Sequence, residues 1–156
     1  MGSRRKVEDF KKVFGAGLVN ETVHAQLNGL DFYSTPPHCI LKHKALTNII
    51  KEADNIFEPT AGLGALIYSA LEAGAKRSQI QANDVIPAFV NFIKKNLNVN
   101  TTQNNFLTTS YKNNNYDLIM LNPPFSSGNN KLVYFRCVYK AAAVLHEPKS
   151  KPFENA

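Results

Sequence analysis

The sequence has little of what marks secreted, metal-binding or membrane-spanning proteins. Its 156 residues include only two cysteines, Cys39 and Cys137, which are far apart and lack CxxC spacing. Because they form neither a disulfide framework nor a metal-ligand pattern, we predict a reducing environment and no metal site. No apolar run approaches the ~20 residues that cross a bilayer. The basic start of the chain precedes no apolar stretch, so we predict a cytoplasmic or otherwise intracellular protein that binds no membrane.

Acidic residues are scarce relative to basic ones. The chain has 12 Asp and Glu against 18 Lys and Arg, which gives a net charge of +6 and a pI of about 9.3. This charge favours a polyanionic partner. An ordinary basic surface explains it equally well, because much of the excess lies within residues 4–12. Charge alone therefore names no function.

Short apolar runs and helical patterns alternate along the chain from residue 31. We predict strands at 55–58, 79–83, 101–105 and 117–121, and helices at 35–53, 65–74, 87–97 and 131–145. This order indicates an α/β fold with a doubly wound parallel sheet and helices on both faces. Residues 1–30 are predicted to form a helical extension, 31–146 the core domain and 147–156 a flexible tail.

The first core helix has a clear predicted start. Thr35 is a good N-cap, and Pro36 falls at the first helical position, where a missing N–H costs nothing. We expect this helix to bury five side chains, those of Cys39, Leu46, Ile49, Ile50 and Ala53. The helix over 87–97 is expected to bury Phe89, Val90 and Ile93.

A glycine turn follows the first predicted strand. Glu58 ends the strand, and the turn contains Thr60, Gly62 and Gly64. No Lys-Ser/Thr pair follows the glycines, which excludes a P-loop, and the missing third glycine makes this a poor dinucleotide fingerprint. Glycines before a helix N-terminus let a ligand approach the backbone closely. A carboxylate beside them suits a cationic ligand, and S-adenosylmethionine carries both a sulfonium and an amino group.

A second acidic residue, Asp84, ends the second predicted strand about twenty residues further on, the spacing at which an acid can bind ribose hydroxyls. Val85 follows and can pack on a purine ring. The alternative interpretation is a tight strand-to-helix turn with a surface aspartate. The combination of Asp84 with the glycine turn favours the cofactor site.

The tetrapeptide Asn122-Pro123-Pro124-Phe125 directly follows the fourth predicted strand. A given tetrapeptide is expected at on the order of one in 100,000 positions, and this one lies where α/β sheets bind ligands. The Asn122 side-chain carbonyl and a backbone carbonyl of the turn can accept hydrogen bonds from a planar amino group and aim its lone pair at a methyl donor. Phe125 can stack on the substrate, as in enzymes that handle flipped bases. The alternative is a stiff loop that ends the strand.

These motifs resemble the class I, Rossmann-like amino-methyltransferases, whose hallmark is (Asp/Asn/Ser)-Pro-Pro-(Tyr/Phe). Within them the chain looks most like adenine methyltransferases, because Phe32 to Pro37 match the segment that precedes the glycine turn. The resemblance implies S-adenosylmethionine as cofactor, with Thr35 at its carboxylate. It also implies that Asn122, Pro123 and Phe125 act in catalysis. Many relatives have Asp-Phe after the third strand, where this chain has Asn105-Phe106; an amide can still accept from the cofactor's adenine amine, without charge.

The predicted function is methyl transfer to the exocyclic amine of adenine in a nucleic acid, with DNA favoured over RNA. A protein-glutamine or RNA-guanine methyltransferase would use the same tetrapeptide. A catalytically inactive structural or binding subunit is a third hypothesis, because the family fold has seven strands and four are predicted here, in the order 3-2-1-4. The fourth strand would lie at an apolar edge, so we expect a partner chain or a further segment to complete the sheet.

Overall fold

A computed structural model of the protein describes Thr35 and residues 38–112, 115–124 and 132–145. The helices are α1 (His38–Leu41), α2 (Lys44–Glu52), α3 (Ala65–Glu72), α4 (Pro87–Asn96) and α5 (Val133–Val144). The strands are β1 (Ile56–Glu58), β2 (Ile80–Asp84), β3 (Asn100–Gln103) and β4 (Leu118–Ile119), and a short 3-10 helix, Arg77–Gln79, precedes β2. The predicted extension over 1–30 and tail over 147–156 lie outside the described residues.

The four strands form one parallel sheet in the order β3-β2-β1-β4. Phe57 of β1 is level with Gln81 of β2 and with Ile119 of β4. Helices follow the strands and cover both faces of the sheet. The predicted fold class, a Rossmann-like sheet of four strands, is therefore confirmed.

The hydrophobic core has two parts, one on each face of the sheet, and side chains of β1 point alternately into them. Ile56 faces a cluster that includes Ile67 of α3 and Ile93 of α4. Phe57 is fully buried on the opposite face, in a cluster with Cys137 of α5. Successive side chains of a strand point to opposite faces, so two adjacent residues of β1 anchor both helical layers. The expected burial of Phe89, Val90 and Ile93 is also confirmed.

The first core helix differs from its prediction. It is broken between α1 and α2, where His43 is extended and caps α2. Ile50 and Ala53 are buried as expected, but Cys39 is exposed and Leu46 and Ile49 are 43% and 50% exposed. The break resets the rotation of the helix, so a periodicity counted from residue 35 no longer identifies the face that meets the sheet.

The fourth strand is shorter than predicted. It contains only Leu118 and Ile119, both half-buried, instead of the whole run 117–121. At its start, the Asp117 and Leu118 amides both donate to the Asn55 carbonyl oxygen, at 2.9 and 3.2 Å. At its end, the Met120 amide donates to Phe57 O at 2.9 Å. The apolar run is thus long enough for a strand, but only two of its residues keep regular pairing with β1. The third strand also ends before its predicted limit, at Gln103.

The two edges of the described sheet differ in chemistry. The β3 edge has the polar sequence Asn-Thr-Thr-Gln, whereas the β4 edge is apolar. The chain returns to the start of β4, where Tyr116 pairs in parallel with Leu145 and the Asn115 amide donates to Val144 O at 3.3 Å. Within the described ranges no strand pairs with Leu118 or Ile119 on the side away from β1. α5 covers the Phe57 face of the sheet and not this edge.

We predict that the β4 edge makes the protein associate. Unpaired backbone groups along an apolar strand act as a template for a further strand. Size-exclusion chromatography with light scattering should show dimers, a co-purifying chain or aggregation. A stable, folded and monodisperse monomer of 17.3 kDa would contradict this prediction.

Candidate active site

The candidate site lies at the carboxyl ends of three neighbouring strands. Glu58 is the last residue of β1 and Asp84 the last residue of β2. Asn122 follows β4, which pairs with β1 on the other side. Parallel strands end at the same edge of a sheet, and β1 is the middle one of the three. The topology therefore brings the two acidic residues and the Asn-Pro-Pro segment to one edge.

The turn between β1 and α3 depends on its glycines. Gly62 and Gly64 have φ angles of 54° and 82°, in the left-handed region that glycine adopts without strain. The Gly64 amide donates to Ala61 O at 2.8 Å, and the Ala61 amide donates to Asn83 O of β2 at 2.9 Å. A Cβ atom on Gly64 would lie 2.5 Å from Leu97 Cδ1. Gly64 thus serves both the turn conformation and the close packing of the turn on Leu97, the residue after α4.

Asp84 holds this turn against the end of β2. Its Oδ2 accepts a hydrogen bond from the Gly62 amide at 2.8 Å, and its Oδ1 accepts one from the Ile86 amide at 2.9 Å. The side chain is buried, at 7% exposure, so the alternative of a surface aspartate is wrong. Each carboxylate oxygen has a further lone pair, so these bonds are compatible with a ligand hydroxyl. No local feature of the sequence indicates the bond to Gly62.

Asn83 is a further site residue that the sequence analysis missed. It is fully buried, and its Nδ2 donates to Pro59 O at 3.0 Å and to Asn104 O at 2.9 Å. Its Oδ1 accepts from the Thr102 hydroxyl at 2.9 Å. One carboxamide therefore joins the chain segments that follow β1 and β3. A polar residue within a buried strand was the signal that could have identified it.

Glu58 is the most unusual group of the site. It is 2% exposed, and its Oε2 has no hydrogen-bond partner; the buried Thr60 hydroxyl has none either. Burial, and secondarily the charge of Asp84, raise the pKa of Glu58 well above its ordinary value. Burial also raises the pKa of Asp84, against the lowering effect of its backbone hydrogen bonds. Unsatisfied buried acceptors of this kind fit a cationic ligand that donates hydrogen bonds, as the predicted cofactor does.

The segment after β4 is held by Thr35. Asn122 Nδ2 donates to Thr35 Oγ1 at 2.9 Å, across 87 positions of sequence. Pro123 is buried and Pro124 half-buried. Phe125 and the predicted contacts of Phe32 to Pro37, apart from those of Thr35, lie outside the described residues. The structure thus joins two residues that the sequence analysis assigned to separate tasks.

The remaining predicted cofactor residues have different surroundings. Val85 is 57% exposed at the end of β2, where a large apolar side chain is open to a ligand ring. Asn105 Oδ1 accepts a hydrogen bond from the Leu107 backbone amide at 3.0 Å, so the Asn105 side chain stabilises a local turn. Phe106 is buried against Phe57, with ring centroids 6.1 Å apart. Asn105 and Phe106 thus have structural partners of their own, and their contact with a cofactor stays a prediction.

The described residues bring together no group of three or more His, Cys, Asp or Glu side chains able to hold a metal ion. Across the same described ranges, no helix has the length and apolar character needed to cross a membrane.

The sequence pattern of the methyltransferase small domain family matches residues 41–148. The chain belongs to this family. It is therefore a methyltransferase domain of the type that uses S-adenosylmethionine, and Glu58, Asp84 and Asn122 lie within the matched range. No curated protein matches the chain.

Several solved structures share the fold of this methyltransferase domain. A candidate RNA methyltransferase from Pyrococcus horikoshii has a TM-score of 0.60 at 22% identity, with 74% of this chain and 57% of that chain covered. A Thermoplasma acidophilum protein has a TM-score of 0.55 at 21% identity, with coverages of 75% and 60%. A phosphoethanolamine N-methyltransferase from Haemonchus contortus, solved with S-adenosylhomocysteine, has a TM-score of 0.51 at 12% identity, with coverages of 94% and 31%. The chain thus spans less than two thirds of the length of these neighbours.

We predict that Gly64→Ala destabilises the methyltransferase domain by about 1–3 kcal/mol, because the new Cβ meets both a left-handed backbone and Leu97. Gly74→Ala is the matched control: Gly74 also has a positive φ, but its Cβ would lie 3.4 Å from the flexible Lys51 side chain. Urea unfolding should show the larger loss for Gly64→Ala. Equal losses would mean that the close approach to Leu97 contributes nothing.

We predict that the ligand-free Glu58→Gln variant becomes more stable relative to the wild type as pH rises. The pKa of Glu58 is higher in the folded than in the unfolded chain, so its contribution to stability is complete below about pH 4 and is lost as pH rises through the folded-state pKa. Between the unfolded-state and folded-state pKa values of Glu58, the wild type loses about 1.4 kcal/mol of stability per pH unit from this group. Urea unfolding between pH 5 and 8 measures the difference. Glu72→Gln, at an exposed residue of α3, is the control, and parallel profiles for wild type and Glu58→Gln would refute the prediction.

Proposed function

We propose that this methyltransferase domain transfers a methyl group to the exocyclic amine of adenine in a nucleic acid, DNA more readily than RNA. The observation that carries the proposal is the position of Asn122-Pro123. It follows β4 at the sheet edge where Glu58 and Asp84 end the two neighbouring strands, and its carboxamide is held by Thr35.

The cofactor site would extend along the turn between β1 and α3. Glu58 and Thr60, whose buried oxygens have no partner, would accept hydrogen bonds from the cationic end of S-adenosylmethionine. Gly62 and Gly64 allow the ligand to approach the backbone. The remaining proposed contacts are Asp84 with the ribose hydroxyls, Val85 with the adenine ring, Asn105 with the adenine amine, and Thr35 with the carboxylate; Phe106, next to Asn105, would also border the cofactor.

The proposed chemistry needs a way to activate a weak nucleophile. When bound, S-adenosylmethionine would supply an electrophilic methyl group, with its sulfur left as a neutral thioether and the surplus proton of the methylated amine lost to water. The amine of adenine has a delocalised lone pair, and the Asn122 Oδ1 and the Pro123 carbonyl oxygen would each accept one of its two N–H groups. These fixed dipoles would pyramidalise the amine and direct its lone pair without a cost of reorganisation. Phe125 would stack on the base and hold it at this position.

RNA is the second candidate substrate. The Pyrococcus horikoshii neighbour is named as a candidate RNA methyltransferase, and this name supports RNA over protein as the source of the amine. The net charge of +6 suits either nucleic acid. A protein-glutamine substrate, an RNA guanine or an inactive subunit remain as outcomes of the experiment.

We predict that wild-type protein binds S-adenosylhomocysteine in calorimetry and transfers labelled methyl groups to adenine in DNA pools. Asn122→Ala should reduce this transfer by on the order of 100- to 1,000-fold, because one preorganised acceptor is lost, and should leave cofactor affinity largely unchanged. Asn91→Ala, at an exposed position of α4, is the control.

RNA and protein pools, assayed in parallel, identify the substrate class. Label in RNA or protein alone would replace the DNA proposal. Cofactor binding without transfer to any pool would favour the inactive subunit, and full activity of Asn122→Ala would exclude the acceptor role of this residue.

A further inference from the structure

A side-chain hydrogen bond joins Thr35, which precedes α1, to Asn122, which follows β4. The Asn122 Nδ2 atom donates to Thr35 Oγ1 at 2.9 Å, and both side chains are half-buried. The two residues are far apart in sequence, so the fold alone brings them together.

The hydrogen bond to Thr35 determines the orientation of the Asn122 carboxamide, and therefore the direction in which its Oδ1 atom points. A carboxamide has a donor end, Nδ2, and an acceptor end, Oδ1, on opposite sides of the same plane. With Nδ2 directed at Thr35, Oδ1 is directed away from it. In the reverse orientation, Nδ2 would point its N–H groups where an amino substrate also carries N–H groups, and the two sets of donors would repel each other.

We propose that Thr35 is a positioning residue that keeps the Asn122 carboxamide in the orientation needed to accept a hydrogen bond from the substrate amine. This inference rests on the proposed function and extends it to a residue outside the Asn-Pro-Pro segment. The hydroxyl has one donor and two acceptor sites. It can therefore receive the Asn122 N–H and still donate its own proton to a second group, including a cofactor carboxylate.

Thr35 can affect methyl transfer in two ways, by binding the cofactor or by orienting Asn122. A loss of activity by itself does not distinguish them. A residue that only binds the cofactor changes cofactor affinity, and saturating cofactor restores the rate. A residue that orients Asn122 lowers the rate even at saturation, because the acceptor is misdirected in a fraction of the molecules. The rate at saturating cofactor is therefore the informative quantity.

The variants are Thr35→Val, which keeps the shape but removes the hydroxyl, and Thr35→Ser, which keeps the hydroxyl. Single-turnover methyl transfer to adenine-containing DNA oligonucleotides is measured at saturating S-adenosylmethionine. Thr35→Val should be about tenfold slower than wild type, which corresponds to the free energy that one hydrogen bond typically contributes. Thr35→Ser should recover most of the lost rate. Thr47→Val is the matched control, because the Thr47 hydroxyl donates to Lys44 O of the same helix, α2, at 3.0 Å. A wild-type rate for Thr35→Val at saturation would overturn the proposal.

A second measurement is independent of activity. The side-chain N–H pair of Asn122 is identified in ¹H–¹⁵N spectra by its disappearance in Asn122→Ala. Thr35→Val should shift this pair and accelerate its exchange with solvent, whereas Thr35→Ser and Thr47→Val should leave it near its wild-type position. An unchanged pair in Thr35→Val would overturn the positioning role. Absence of methyl transfer by the wild type would instead contradict the proposed function, so the two failures are distinguishable.

Discussion

The bond between the Gly62 amide and the Asp84 carboxylate is the interaction on which the rest of the site depends. It ties the turn after β1 to the end of β2 at 2.8 Å, where Asn83 O also receives the Ala61 amide. Two hydrogen bonds therefore connect the turn to the sheet. This places Glu58, Gly62 and the start of α3 in a constant relation to one another, as preorganised binding requires.

This arrangement has an energetic cost that is consistent with a binding function. Two carboxyl groups are buried close enough for the charge of Asp84 to raise the pKa of Glu58. Asp84 is compensated by backbone amides, whereas Glu58 Oε2 has no partner. A protein selected for stability alone would satisfy or remove such a group. A cationic cofactor would supply the missing partner and recover the cost on binding.

The face of the sheet on which Phe57 lies packs against α5. Phe57 stacks on Tyr116 with ring centroids 4.5 Å apart and contacts Phe106 and Tyr111. Lys140 of α5 lies over the Phe106 and Tyr111 rings and donates to Thr109 O. This aromatic cluster fixes α5 beside β4, and the segment that contains Asn122 lies between these two elements in the chain.

The sequence alone determined the α/β class and placed Glu58, Asp84 and Asn122 at or just beyond strand ends, because the alternation of strands and helices, glycine turns and proline stops are local signals. The strand order was expected from the resemblance to the class I methyltransferases. Only the tertiary structure decided which faces of α1 and α2 are buried, since a break of two residues rotates one helix relative to the other. It also decided that Asp84 bonds to Gly62, that Asn83 joins the segments after β1 and β3, and that Thr35 meets Asn122. These contacts join residues 21 to 87 positions apart, and no local pattern encodes the direction in which a polar side chain finds its partner.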